Sequence, residues 1–219
     1  MSVTAAADRP VPGLSSRLRT LLRFGVPLIV LVAMVLGTKF VSTSSSVASG
    51  PKKFSAAEYG KMEFPKVQAA IRKRAVPAAT LAQAIAADQA AAAKKYGVDA
   101  GTGPEMSVSF TGVATTSTSG IYTVKVSGLP AGLLVRVQTG PAINGTDLRD
   151  ATGDITFGQF TNQINYQNAA SALNQQMKSK VLAGVDAAHL SGKTISVVGV
   201  FQLINPKGWL VTPAELSVQ

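Results

Sequence analysis

The chain contains no cysteine and a single histidine, His189. The first absence excludes a disulfide framework, thiolate metal ligation, a cysteine nucleophile and lipid attachment through cysteine. With one histidine as well, zinc sites built from the usual ligand sets are disfavoured. A serine triad would have to run through His189. That residue stands in Asp-Ala-Ala-His-Leu-Ser-Gly, 186–192, which reads as the frayed end of a helix, so a solvated or structural histidine is expected. Aromatic residues are few, 6% of the chain. A nucleic-acid binder would interleave aromatics with its basic patch or show a recognised fold, and neither is present. No metal, cofactor or nucleic-acid partner is implied.

The net charge of +10 is unevenly distributed. Residues 1–41 hold Arg9, Arg17, Arg19, Arg23 and Lys39 against Asp8, so +4 belongs to the N-terminal stretch. The remaining charge is spread through Lys52, Lys53, Arg72, Lys73, Arg74, Lys94, Lys95 and others, mostly on predicted helix faces, and suits solvated surfaces near anionic lipid.

One run lacks charge altogether. From Phe24 to Thr38 the residues are apolar all round, with no polar face for a core helix to show to water. The run is short of the ~20 residues of an ideal span, but Arg23 and Lys39 at its ends can snorkel to the two interfaces. Arginines before the run favour the N-terminus inside and the C-terminus outside the cytoplasm. The expected organisation is therefore a cytoplasmic basic tail (1–23), a transmembrane anchor or uncleaved signal (24–41), a flexible Ser-rich linker (42–53) and an extracytoplasmic α+β domain (54–219). A signal peptide has the same features, with small residues at Val47-Ala48-Ser49, so cleavage stays open.

Within the domain, Phe54 to Tyr96 is helical in character. Ser55 is a possible cap, Pro65 opens a second stretch of 66–75, Pro77 breaks it, and Thr80 caps a helix over 81–96 that ends at Gly97. After a loop at 98–104, runs of alternating or β-branched residues predict strands over 107–113, 121–126 and 133–139. A helix over 159–185 follows, then strands over 194–204 and from 209 to 218, joined by the turn former Asn205-Pro206-Lys207-Gly208. This order predicts an α+β fold: a small, partly open antiparallel β-barrel with N-terminal helices and one inserted helix.

The densest polar cluster connects a strand to that inserted helix, at 140–163. Thr146, Asp147, Arg149 and Asp150 place a hydroxyl, two carboxylates and a guanidinium together. Three readings compete. Arg149 can pair with an aspartate and hold the loop in shape. Alternatively Asn144, Thr146, Asp147, Arg149, Asp150, Asn162 and Gln163 form a polar array flanked by Phe157, Phe160 and Tyr166, which would hold a sugar or another polar small molecule. A calcium site or catalysis is the third, but Asp147, Asp150 and Asp154 lack calcium-loop spacing, and nothing supports them as a glycosidase pair. Asn144-Gly145-Thr146 is formally a glycosylation sequon and reads better as a turn.

Gly140-Pro141, Gly145-Thr146-x-Leu148-Arg149-Asp150-Ala151, Phe157-Gly158-x-Phe160-x-Asn162-Gln163, Leu173-Asn174 and Thr212-Pro213 together resemble an uncharacterised bacterial family, the predicted periplasmic lipoproteins of domain-of-unknown-function family 2291. The similarity runs from about Phe54 to the C-terminus. The resemblance implies a β-rich, barrel-like α+β domain and a link to sugar ABC importers, but no activity and no residue roles. The chain departs from the family's lipoprotein label in having no lipobox cysteine near residues 36–50, so the apolar segment would have to serve as the anchor. The expectation is a non-enzymatic, membrane-tethered accessory or ligand-binding module, on the cell membrane with its C-terminal domain outside the cytoplasm, whose partners are ABC transporter subunits or a sugar. A structural envelope protein without a ligand is the alternative, and a glycan hydrolase a more distant one.

Overall fold

A computed structural model describes residues 53–101 and 103–219, together with Val32, Met34 and Gly37, which are helical. The basic tail, most of the predicted anchor and nearly all of the linker lie outside the described residues. Among the described residues no helix is long and apolar enough to cross a membrane. Residues 53–219 form one compact unit.

The unit opens with helix α1, Ala56–Arg74. The Ser55 hydroxyl accepts from the Glu58 amide at its start, and Arg72, Lys73 and Arg74 lie at its negative end. Gly60, Phe64, Val67 and Ile71 recur at three- and four-residue spacing and form its buried stripe. Pro65 was expected to start a new element, yet it lies inside α1. Its ring is on the exposed face, and the packing of Phe64, Val67 and Ile71 on either side keeps the helix going through the lost hydrogen bond.

Strand β1 is two residues, Val76–Pro77; α2 spans Ala78–Ala87 and α3 spans Gln89–Tyr96. A single helix was expected over 81–96. Asp88 divides it, because its extended backbone ends α2 and its carboxylate accepts from the Ala91 amide to begin α3.

Seven strands make one sheet. After the short β2 (Gly97–Asp99) come β3 (Pro104–Thr118), β4 (Ile121–Val126) and β5 (Leu134–Gln138), then β6 (Thr194–Gln202) and β7 (Gly208–Val218). Strand β3 begins earlier and ends later than the expected 107–113. Ser119 and Gly120, both with positive φ, close the β3–β4 hairpin in the sense that matches strand twist.

Pairing runs β3–β4–β5–β7–β6, and β6 pairs back on β3 over Glu105↔Gln202 to Val113↔Thr194. Five strands thus form a closed circuit of ladders. The strands meet mainly antiparallel, as expected, with two exceptions: β5 runs parallel to β7, and β1 runs parallel to β3. The first follows from the long helical connection after β5, which returns the chain as β6 so that β7 comes back beside β5 in the same direction.

That connection carries α4 (Asp147–Asp150), a 3₁₀ turn at Phe157–Gln159, α5 (Gln163–Met177) and a π turn at Lys178–Leu182. The expected helix over 159–185 is therefore shorter, because Asn162 caps it three residues later than anticipated.

Two cores result. Alternate residues of the circuit, among them Met106, Val108, Tyr122, Val135, Val137, Ile195, Phe201, Trp209 and Val211, pack inside with Leu81 and Ile85 of α2. Phe201 stacks on Trp209 at 4.6 Å, worth about 1 kcal/mol beyond buried area. The second core joins Phe64, Val67 and Ile71 of α1 to Leu148, Leu173, Met177, Val200 and Ala214. Alternation along β6 turns Ile195, Val197 and Phe201 into the first core and Val198 and Val200 into the second.

Candidate functional site

The 140–163 segment crosses one face of the second core. Its backbone is held from below: the Asn174 amide donates to the Ile143 and Gly145 carbonyls at 3.3 and 2.8 Å. Lys178 donates to the Pro141 carbonyl at 2.7 Å, and Arg74 to those of Ala151 and Thr152 at 3.1 Å. A loop fixed by three side chains from two helices is a rigid support.

On it, the Arg149 guanidinium donates to both oxygens of Asp150, Nε to Oδ1 at 2.7 Å and Nη2 to Oδ2 at 2.9 Å. Arg149 and Asp150 are 8% and 5% exposed, and the Tyr166 ring lies over the guanidinium with its centroid 3.7 Å away. Pair and ring together seal the top of the second core.

Asp147 turns toward the sheet. Thr212 of β7 donates to Asp147 Oδ2 at 2.6 Å and itself accepts from Gln138 Nε2 of β5 at 2.8 Å. Burial holds the Asp147 carboxyl above its usual range, opposed by the Thr212 hydrogen bond.

Of the seven residues expected to form a ligand array, then, the structure joins Arg149 with Asp150 and ties Asp147 into the Thr212–Gln138 chain. Asn162 spends its side-chain oxygen on the Asn165 amide as the α5 cap. Asn144 and Gln163 are exposed, and Thr146 is half-buried where its carbonyl starts α4. The hydrogen bonds of Arg149, Asp150, Asp147 and Asn162 run within the fold, as in the first of the three sequence readings. His189 lies in a turn, exposed, with Nδ1 at 2.9 Å from Asp186.

The sequence reading passed over Glu105. Alternation along β3 turns it away from the inner core of Met106 and Val108, toward the layer that holds Asp147, Arg149 and Asp150. It is 1% exposed, and neither carboxylate oxygen has a hydrogen-bond partner among the described residues. Its pKa rises to about 9, chiefly through burial and then through Asp147 and Asp150, with Arg149 opposing. At neutral pH it is a neutral acid. Its charge was the available signal, since the other residues on that side of the alternation, Ser107, Ser109 and Thr111, are small and neutral.

At the far end of the circuit lies a cleft of about 270 Å³. Ala82, Ile85 and Ala86 of α2, Pro130, Ala131 and Leu133 before β5, and Pro206 of the β6–β7 turn make its apolar walls, with Gln89 and Lys207 at its rim. No sequence pattern announced it, because its walls come from three separated segments.

A solved structure, an OB-fold protein from Thermotoga maritima, is similar to this chain with a TM-score of 0.62 and 18% identity, over 77% of this chain and 100% of that one. The likeness concerns the fold, and the circuit above is the strand order of an OB-fold with α5 inserted before its fourth strand. No curated protein matches. The family described as "Predicted periplasmic lipoprotein (DUF2291)" matches residues 28–217. That description implies an extracytoplasmic, membrane-associated location.

Proposed function

The chain belongs to the family of predicted periplasmic lipoproteins, DUF2291, and from that premise we propose that it is a membrane-tethered, extracytoplasmic binding module. It has no catalytic activity of its own, holds a sugar-sized ligand and assists carbohydrate import by an ABC transporter. Residues 24–41 take the anchoring role that a lipidated cysteine cannot take in a sequence without cysteine.

The observation that carries the ligand reading is the cleft between α2, the β4–β5 loop and the β6–β7 turn. A sugar ring offers apolar C–H faces to walls such as Ile85, Pro130 and Leu133, and hydroxyls to the Gln89 amide and the Lys207 ammonium. The absence of catalysis is supported by how the acids of the polar loop are used, with Asp150 on Arg149 and Asp147 on Thr212. That same internal use favours the second reading, a structural envelope protein in which the loop only stabilises the fold.

Calorimetric titration of the full chain in detergent against a panel of mono- and disaccharides separates the two. The binding reading expects saturable binding by at least one sugar, abolished in Ala86→Trp, which fills the cleft from an exposed helix position. Silence across the panel, or unaltered binding by Ala86→Trp, sinks it.

A further inference from the structure

We propose that the end of the folded unit where α1 and α5 begin rests on the lipid surface. The inference builds on the tethered reading above. Helices α1 and α5 start at the same end. Tyr59 meets Phe160 there and Phe160 meets Tyr166, a Cβ on Gly60 would press on Ala172, and further along Phe64 and Gln68 share a groove with Gln176 and Lys180.

At this end the rings form an unbroken chain. Phe54 lies 5.5 Å from both Tyr59 and Phe160, Phe160 lies 5.4 Å from Tyr166, and Tyr166 lies 5.7 Å from Phe157. The inner members are packed, but Phe157 is 50% exposed, and Ile164 in the first turn of α5 is 67% exposed. Rings with an apolar body and polar tips suit a membrane interface.

Three arguments select lipid as the occupant. The first is delivery. The polypeptide enters this unit at Lys53–Phe54, Phe54 is itself a member of the ring chain, and only the twelve residues 42–53, whose fully extended reach is at most ~40 Å, separate it from the proposed anchor. The ring end is thereby held near the bilayer at high effective concentration. The second is charge, since Lys52 and Lys53 precede Phe54 against the single Glu58 in the first turn of α1, which suits an anionic surface. The third is area. Half of Phe157 and two-thirds of Ile164 amount to on the order of 200 Å², far below the roughly 800 Å² per partner of a stable protein interface. A tethered unit needs no more than this small patch to favour the docked orientation.

The test is tryptophan quenching in nanodiscs of mixed phosphatidylcholine and phosphatidylglycerol, with or without bromine on the acyl chains, holding the full chain as Phe157→Trp. Trp209 is fully buried and provides the wild-type background. The expected result is that brominated lipid quenches Phe157→Trp but not the wild type, and that adding Ile164→Asp restores the emission. Unquenched, water-like emission in discs that contain the chain overturns the docking alone. Blue-shifted but unquenched emission also overturns it, since a protein then covers the patch. A chain that does not insert into the discs overturns the tether, and the docking with it.

Discussion

Replacing Glu105 by glutamine is expected to shift stability, relative to wild type, steadily toward the variant as pH rises. In the folded state Glu105 is 1% exposed, its oxygens lack partners among the described residues, and its pKa rises from 4.5 to about 9. The sign follows from which state holds the proton. Below about pH 4.5 both folded and unfolded chains carry it, and the residue imposes no pH-dependent cost. Above that value the unfolded chain releases it freely while the folded chain keeps it until about 9, so stability falls as pH rises through that window. Each unit is worth about 1.4 kcal/mol, giving roughly 3 kcal/mol at pH 7 against a typical domain stability of about 5–15 kcal/mol. Glutamine mimics the neutral acid but has no proton to lose. Its own buried amide shifts the whole curve by a constant of about 1–3 kcal/mol. The diagnostic quantity is therefore the slope: urea unfolding of residues 53–219 at several pH values between 5 and 8.5 measures wild type minus Glu105→Gln. The gap should widen by about 1.3 kcal/mol per unit. A gap that stays constant, or one that favours wild type increasingly at high pH, would show that Glu105 is ionised and paired in the fold.

Two further outcomes are expected. Arg149→Ala removes the guanidinium that pairs with the buried Asp150 carboxylate and should cost about 3–5 kcal/mol in urea unfolding, whereas the double change Arg149→Met with Asp150→Leu recovers most of it; a loss below about 1 kcal/mol for the single variant refutes the sealing role. Leu173→Ala, at a fully buried position of α5, should cost about 2–5 kcal/mol, while Ile164→Ala on the exposed side of the same helix stays within about 0.5 kcal/mol; equal effects would contradict the packing of α5 on α1.

The polar loop shows how far spacing carries. Thr146 to Asp150 were close enough in sequence to suggest a ligand array, and Arg149 was equally open to pairing with an aspartate. Sequence proximity set which groups could meet, but not which faced water. That was decided by the Tyr166 ring above Arg149 and by Thr212 of β7, a strand that lies some sixty residues away in the chain. Glu105 repeats the point, since alternation puts it with Ser107, Ser109 and Thr111 on the polar side of β3, which spacing alone would leave to water, and only packing by distant segments buries it.

The sequence by itself determined the local elements: the strand over 121–126 from its alternation, the hairpin at 205–208 from its turn residues, the cap at Ser55 and the apolar run after Arg23. These depend on interactions within a few residues, which composition and period report directly. Tertiary structure alone decided that β6 closes on β3, that β5 runs parallel to β7, that α1 continues through Pro65 and that Arg149 and Glu105 face inward. Each of those outcomes depends on burial against segments distant in the chain, and alternation along one strand names its two faces without naming the partner that covers them.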